Sequence, residues 1–189
     1  MVSPTAMADE EQMAAARIGG LRIHNAPIEL AEYSAEWPVL FSREANRIRS
    51  VLGDRVLQLE HVGSTSIPGL AAKPIIDILL AVRDSNDEPA YVPAMESAGY
   101  VLHGRERDWH EHRRFKGPDT NINLHVFSEG CPEIERMLFF RDRLRSNDQD
   151  RELYERTKRE LARRVWKYVQ NYADAKSEVV EGIIARARG

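Results

Sequence analysis

Apolar residues follow two different periods along the chain, and the change between them divides it into a sheet part and a helical part. Between residues 55 and 127 they form short runs bounded by glycine, proline or polar clusters, which is typical of strands. After Pro132 they recur every three or four residues, which predicts helices. The pattern therefore predicts an α/β (α+β) fold, a mixed β-sheet flanked by helices with a C-terminal helical layer.

The boundaries of the elements follow from the same pattern. We expect a helix from Ser34 to Gly53, since glycine favours the left-handed turn that ends a helix. The strand at 74–82 is apolar on both faces, which places it in the centre of the sheet. The remaining predictions are an extended piece at 28–33, strands at 55–61 and 100–103, a helix at 88–98, a hairpin of 110–116 with 121–127, and three helices marked by Ile134, Leu153 and Val179.

One domain is expected. It spans 21–189, with an α/β part at about 27–130 and a helical part at about 132–187. The residues before it, 1–20, are predicted to be a loose, partly helical leader.

Composition narrows the class of protein. The 189 residues are 42% hydrophobic and 30% charged, with a net charge of -3, which suits a globular protein without a bulk attraction to nucleic acid. The single cysteine, Cys131, allows no disulfide framework within the chain. We expect no secretory signal, because residues 1–11 have no basic start followed by an apolar stretch. We also expect no membrane-spanning run, because the longest apolar run, Ile75–Val82, is short and contains Asp77. We expect a cytoplasmic protein with no membrane partner.

The strand at 55–61 leads into a turn of the type that binds phosphate. Gly63 permits a positive φ and a close approach of the backbone to a ligand. Ser64, Thr65 and Ser66 follow with three hydroxyls, and successive backbone N–H groups in such turns can hold an anion. An ordinary polar turn is the alternative.

Asp77 is a lone carboxylate in a strand that is otherwise aliphatic. Burying it costs several kcal/mol unless a metal, a cation or a cleft compensates the charge. A structural ion pair, with Lys73 or with an arginine of the hairpin, is one reading. Beside the Gly63–Ser66 turn, a Mg²⁺–phosphate site is the other, since Mg²⁺ prefers hard oxygen ligands and bridges to phosphates.

The run Glu60-His-Val-Gly-Ser-Thr-Ser-Ile-Pro-Gly-Leu-Ala-Ala-Lys-Pro-Ile-Ile-Asp-Ile resembles the signature of the GrpB-like family of the nucleotidyltransferase superfold. The resemblance covers roughly residues 27–187, and its further motifs are Trp109–Phe115, Asn123–Phe127, Phe140–Arg145 and Tyr172–Lys176. It implies an antiparallel-leaning mixed sheet in which the Gly-Ser turn holds a nucleoside triphosphate. It also implies that strand carboxylates bind Mg²⁺, which organises attack on the α-phosphate.

The chain departs from that pattern in its acids. The position two residues after Asp77, on the same face of the strand, is Leu79. The hairpin strand that would carry a third acid offers Asn121, Asn123 and His125 instead, and Asp119 lies in the turn. Glu60 could supply a replacement carboxylate for the metal, and His125 is the alternative ligand, although imidazole binds Mg²⁺ poorly.

Arginine and histidine are concentrated in the segment 105–116. Guanidinium groups bind phosphate and carboxylate with two parallel hydrogen bonds, so Arg113 and Arg114 are candidate phosphate ligands. His112 and His125 are candidates for a general base, for positioning an acceptor or for a transition-metal site. A solvated hairpin face is the alternative.

Three hypotheses follow. The first is an Mg²⁺-dependent enzyme that transfers a nucleotidyl group from a nucleoside triphosphate to a small acceptor. The second is a non-catalytic nucleotide or anion binder, favoured by the missing acids. The third is metal-independent chemistry on a phosphorylated or carboxylated metabolite. The predicted site is Asp77, His125 and His112 for catalysis, Asp77 and Glu60 for the metal, and Gly63, Ser64, Thr65, Ser66, Lys73, Arg113, Arg114 and Asn123 for the substrate.

Overall fold

The computed structural model describes residues 9–188 and contains one five-stranded sheet in that range. The strands are β1 (Gln58–Val62), β2 (Ile76–Val82), β3 (Val101–Glu106), β4 (His112–Lys116) and β5 (Ile122–Ser128). Their order across the sheet is β1-β2-β5-β4-β3. Only the β2–β5 pair is parallel among these strands, so the sheet is mixed and mainly antiparallel.

β2 lies inside the sheet between β1 and β5, as its aliphatic sequence predicts. One face of β2 packs Ile78 and Leu80 into the main core beneath the first long helix. The other face packs Leu79 and Ala81 under the C-terminal helices. Asp77, on that second face, is the exception to the apolar run and is half-buried.

The helices of the described chain surround this sheet. They are α1 (Glu10–Ala15), α2 (Glu36–Leu52), α3 (Val92–Ser97), α4 (Pro132–Ser146), α5 (Asp148–Ala162), α6 (Val169–Asp174) and α7 (Ser177–Arg188). α2 packs its apolar stripe on the main core and ends where Gly53 takes a positive φ of 56°. No helix within residues 9–188 is long and apolar enough to cross a membrane.

The C-terminal helical layer is tied to the Gly63–Ser66 turn. Ile67 and Leu70, which follow the turn, pack in one cluster with Leu144 of α4, Tyr154 of α5 and Ile183 of α7. The turn is therefore held between the sheet and the helices.

Several boundaries differ from those that the pattern predicts. The helix expected at 88–98 is a short 3-10 turn, Glu88–Ala90, followed by α3, because Pro89 and Pro93 lack the N–H groups of a continuous helix. The extended piece at 28–33 makes a single bridge, Ala31 with Ala72, and is not a strand. α6 lies in a stretch where no separate helix is expected from the pattern.

Part of the leader is ordered against the sheet edge. Residues 1–8 lie outside the described range, and Asp9 caps α1 by accepting a hydrogen bond from the backbone of Gln12 at 2.8 Å. The backbone N–H of Ile18 then donates to His103 of β3 at 3.0 Å. From Asp9 onwards this segment covers the free edge of β3, where a loose leader is expected from the sequence.

Candidate functional site

The register of the sheet gathers polar side chains on the face that bears Asp77. Residues directly opposite one another on neighbouring strands point to the same face. Asn123 is the partner of Asp77 in the β2–β5 pair, and His125 is the partner of Arg114 in the β4–β5 pair. His112 lies two residues before Arg114 and therefore on that face too. The structure thus brings together five of the predicted site residues.

Asp77 is held by a chain of hydrogen bonds that starts on β4. Lys116 Nζ donates to Asn123 Oδ1 at 2.7 Å, and Asn123 Nδ2 donates to Asp77 Oδ1 at 2.8 Å. His125 Nε2 lies 3.6 Å from the same oxygen. Burial acts to raise the pKa of Asp77, but these polar neighbours outweigh it, so the pKa lies below its ordinary value. The carboxylate is therefore ionised.

Gly63 allows the turn to approach this carboxylate. Its φ is +67°, and a Cβ at this position would lie 2.5 Å from Asp77 Oδ2. Any other residue would be strained in its backbone and would collide with the carboxylate. The glycine thus serves the contact between the turn and Asp77.

Glu106, His112 and His125 form a relay of hydrogen bonds that ends beside Asp77. His112 Nδ1 lies 2.5 Å from Glu106 Oε2, and His112 Nε2 lies 3.0 Å from His125 Nδ1. The two imidazole rings are stacked, with centroids 5.1 Å apart. Burial lowers the pKa of His112 to about 4, so this ring is neutral at pH 7.

The relay determines which nitrogen atoms carry protons. A carboxylate only accepts hydrogen bonds, so the neutral His112 donates from Nδ1 to Glu106 and is left with an accepting Nε2. His125 must then donate from Nδ1 to His112. In neutral His125, Nε2 carries a free lone pair and can accept a proton; the imidazolium that results donates toward Asp77, and this is the contact by which His125 lowers the pKa of that carboxyl.

On the other side of the turn, Ser64 meets a buried lysine. Lys158 Nζ, on α5, donates to Ser64 Oγ at 3.1 Å and also to the carbonyl of Ala71. The residue is 1% exposed. Burial, followed by the charge of Lys176, lowers the pKa of Lys158 to about 7.

Two more lysines lie next to it, and we call Lys73, Lys158 and Lys176 the lysine cluster. Lys73 and Lys176 lie over the ring of Tyr172, with Nζ 5.5 Å and 4.5 Å from its centroid. Burial lowers the pKa of each to about 8, and the charge of Asp77 acts in the opposite direction on both. The hydroxyl of Tyr172 is buried and has no hydrogen-bond partner among the described residues.

The charges of the lysine cluster are not balanced by direct partners. Within residues 9–188, none of its members has a carboxylate oxygen within the 4.0 Å of an ion pair. Arg114 likewise has no carboxylate oxygen within that distance, and its Nε is buried without a hydrogen-bond partner within residues 9–188. The carboxylates whose charges act on the lysine cluster are Asp77, Asp174 and Glu155. A group of cations of this kind can hold an anion.

Three further residues of the predicted site, Thr65, Ser66 and Arg113, make hydrogen bonds within the protein. Ser66 donates to the carbonyl of Gly63 at 2.6 Å and closes the turn, whereas Thr65 donates to the carbonyl of Ile75 at 3.2 Å and ties the turn to the start of β2. Arg113, one of the two predicted phosphate ligands of the hairpin, points to the opposite face of the sheet from Arg114. It is 1% exposed and binds Glu88 at 2.6 Å, because neighbouring residues of a strand point to opposite faces.

Glu60 is occupied by an arginine. Its Oε2 accepts from Arg141 Nη1 at 2.9 Å, so its charge is already compensated. The groups around Asp77 are amide, imidazole and ammonium groups. Such groups donate hydrogen bonds, so they favour an anion over a metal ion. Within residues 9–188, no group of three or more His, Cys, Asp or Glu side chains is arranged to hold a metal ion. These donors do not fit a protein-held Mg²⁺.

Sequence reasoning missed Lys158, Lys176, Tyr172 and Glu106 as parts of this site. A signal existed for Lys158, which is four residues after Tyr154 and three before Leu161, on the apolar stripe of an otherwise charged helix. Tyr172 and Lys176 lie in a motif of the family resemblance, although no role follows from it.

The sheet order, the flanking helices and the Gly-Ser turn beside a strand carboxylate define a mixed α/β protein with a nucleotidyltransferase-like fold. The family profile described as "GrpB protein" matches residues 27–186, so the chain belongs to the GrpB family. A UPF0157 protein of Halalkalibacterium halodurans is 62% identical over 94% of this chain and 91% of its own. The crystal structure of the conserved protein GrpB from Enterococcus faecalis superposes with a TM-score of 0.70 at 28% identity, over 85% of this chain and 100% of that one.

Two of the more distant relatives carry the name of an activity, dephospho-CoA kinase. A protein of Mycolicibacterium paratuberculosis named dephospho-CoA kinase is 29% identical over 76% of this chain. The match spans 42% of that protein, so the chain resembles a part of it.

Proposed function

We propose that this protein binds the phosphates of a nucleotide at the Gly63–Ser66 turn and transfers the nucleotidyl group to a small acceptor. The observation that carries the proposal is the lysine cluster, in which the buried Lys158 donates to Ser64 and the half-buried Lys73 and Lys176 lie over the ring of Tyr172. Burying unpaired cations is costly, and an anionic ligand offsets that cost. Triphosphate is such a ligand, and the family resemblance favours it.

The lysine cluster and the turn would hold the ligand. Ser64 Oγ and the backbone N–H groups of the turn donate to phosphate oxygens, and Lys158, already 3.1 Å from Ser64 Oγ, supplies positive charge at the same place. Tyr172, whose hydroxyl has no partner within residues 9–188, offers a further donor. The lysines take the role of charge neutralisation that Mg²⁺ has in the expected mechanism.

Asp77 and His125 would handle the proton of the acceptor. As the acceptor hydroxyl oxygen bonds to the α-phosphorus, its proton passes to His125 Nε2, and the bond from the α-phosphorus to the bridging oxygen breaks. Pyrophosphate leaves with that electron pair. Asp77, 3.6 Å from Nε2, stabilises the imidazolium that forms.

Calorimetry with pyrophosphate in EDTA tests the binding step. Wild type should bind without a divalent metal, and Lys176→Met should lose about tenfold or more in affinity, since one of the charges at the turn is gone. Lys167→Met, which removes an exposed lysine paired with Glu10 instead, is the matched control. Binding that requires Mg²⁺, or that is equal in both variants, would contradict the role of the lysine cluster.

A second function, binding without turnover, is favoured by Leu79. This residue holds the position of the second acid and is completely buried under the C-terminal helices. The two functions differ in product, so ³¹P NMR of a nucleoside triphosphate with the protein and a mixture of small hydroxyl acceptors separates them. Pyrophosphate release that is lost in His125→Asn supports transfer, and tight binding with no release over many hours supports the binder.

A further inference from the structure

A cavity of about 640 Å³ lies next to the turn and is lined by its last residue, Ser66. Its charged wall consists of Arg141, Arg145 and Arg151, and its apolar wall includes Pro38, Phe41 and Pro68. We call it the arginine cavity. Its volume is in the range of small-molecule sites, which are typically apolar with a few placed polar groups.

The arginines of the arginine cavity are paired with carboxylates: Arg141 and Arg145 with Asp142, and Arg151 with Asp148. Asp142 and Asp148 are 57% and 77% exposed and do not line the cavity, so these surface pairs are weak and an anion inside the cavity can replace them. Arg141 and Arg145 are four residues apart on α4, a spacing at which like charges repel. Glu60, the acid that lines the cavity, is bound by Arg141. Burial and then the charge of Arg145 lower the pKa of His61, which also lines it, to about 4, so this ring adds no charge at pH 7.

Aromatic rings form part of the apolar wall. Phe41 stacks on His61 with ring centroids 4.8 Å apart and an interplanar angle of 10°. Tyr33 also lines the cavity and meets Trp37 edge to face. A planar or apolar group of a ligand can lie along this wall while an anionic group meets the guanidiniums.

The turn joins the arginine cavity to the proposed nucleotide site. Arg145 Nη2 donates to the carbonyl of Ser66 at 2.8 Å, and Lys158 donates to Ser64 two residues earlier. Two residues of chain span at most about 7 Å, so ligands on the two sides of the turn would be neighbours. This is the arrangement that a two-substrate reaction needs.

We infer that the arginine cavity binds the acceptor, and that the acceptor is a small molecule with an anionic group, carboxylate or phosphate, and a flat apolar part. The role as acceptor site rests on the proposed function, whereas the binding of such a molecule does not.

NMR titration of uniformly ¹⁵N-labelled wild type tests the inference, with benzoate and phenyl phosphate as the two probes and pyrophosphate as a third ligand without a ring. Both ring probes should shift the backbone amides of Phe41, Ser66 and Arg145. Tighter binding of phenyl phosphate would identify a phosphate acceptor, and tighter binding of benzoate a carboxylate. No shift at these amides with either probe would overturn the inference.

Variants of the cavity arginines show whether the probes bind at these guanidinium groups. Arg145→Gln should weaken the binding of the preferred probe at least about fivefold, and Arg156→Gln, on the exposed side of α5, is the matched control. If Arg145→Gln does not fold, Arg151→Gln replaces it with the same expectation. Equal binding to variant and control would overturn the inference. Pyrophosphate tests the proposed nucleotide site separately. If it shifts no backbone amide at 63–66 while benzoate shifts the amides of the arginine cavity, the proposed nucleotide site is wrong and the inferred anion site is supported.

Discussion

At the scale of single residues, Gly63 separates two effects that usually occur together. Its positive φ is one reason why glycine is needed, and the approach of Asp77 is the other. Gly69 has a similar φ of +78°, but a Cβ added there would have no atom within 4 Å, so this position isolates the first effect.

Gly63→Ala should destabilise the fold by about 2–4 kcal/mol, against about 1–2 kcal/mol for Gly69→Ala. The excess reflects the collision of the new methyl group with the carboxylate. Urea unfolding of both variants measures it, and equal losses would mean that Asp77 moves aside without cost.

Because Lys158 is buried, the free energy of unfolding should depend on pH in the alkaline range. Its folded pKa is about 7, whereas an unfolded lysine titrates near 10.4, so the unfolded chain binds more protons between these values. The free energy of unfolding should therefore rise as the pH rises from 7 to 10. Below pH 7, the cost of burying the charged lysine is fully present.

Lys158→Met should remove the part of this slope that Lys158 causes, while Lys73 and Lys176, with folded pKa values of about 8, keep the rest. It should also raise stability at pH 7 by about 1–3 kcal/mol, since the loss of two hydrogen bonds offsets part of the gain. Chemical unfolding at pH 7 and pH 9.5 measures both effects. A variant that keeps the slope of wild type would show that other lysines cause it.

The residue scale also marks where sequence reasoning stops. Strand alternation predicts that Arg113 and Arg114 face opposite sides, but it does not tell which side carries the site. Lys158 and Ser64 are 94 residues apart, so no local pattern reveals that they touch. The carboxylate in a buried strand and the glycine after a strand were local signals, and those residues do lie together.

At the scale of elements, β2 is the best-predicted part of the fold because both of its faces are apolar, which happens only inside a covered sheet. The short elements were harder to predict. α6 has six residues and is stabilised by Tyr172 packing with Trp166, a tertiary contact that helix periodicity does not contain. The prolines of 88–98 were visible in the sequence and explain why α3 is short.

The pairing of β4 with β3 and β5 predicts loss of stability in acid. His112 is buried between these strands with a pKa of about 4, below the 6.5 of an unfolded histidine. The unfolded chain therefore binds more protons between pH 4 and 6.5, and the stability that this histidine contributes in its neutral form is lost as the pH falls through that window.

His112→Phe should flatten the fall in stability between pH 6.5 and 4.5 by about 2 kcal/mol. The phenyl ring can keep the stacking on Phe127, which has a centroid distance of 4.7 Å in wild type. Urea midpoints at the two pH values provide the measurement. A variant with the full acid sensitivity of wild type would assign that sensitivity to other groups, such as His61.

At the scale of the whole molecule, the helical layer and the sheet share a core around the turn. Ile183 of α7 is completely buried in the cluster that contains Ile67 and Leu70. Ile183→Ala should cost about 2–5 kcal/mol, whereas Val165→Ala, at a position that is 68% exposed, should change stability by less than about 0.5 kcal/mol.

Unfolding of Ile183→Ala followed by tryptophan fluorescence and by circular dichroism should give one coincident transition, as expected for the single domain that the sequence predicts. Two separate transitions would divide the sheet from the helical layer.

The long sequence separation of the contacts around the turn has a kinetic consequence. The Lys158–Ser64 contact spans 94 residues and the Arg141–Glu60 contact spans 81, so a growing chain that has completed the sheet still lacks both walls of the site. Contacts of this range form slowly, because the loop must close before they stabilise anything. During synthesis, ligand affinity should therefore appear late, after α5 and the segment bearing Lys176 have joined the sheet, and it would serve as a marker of a finished chain.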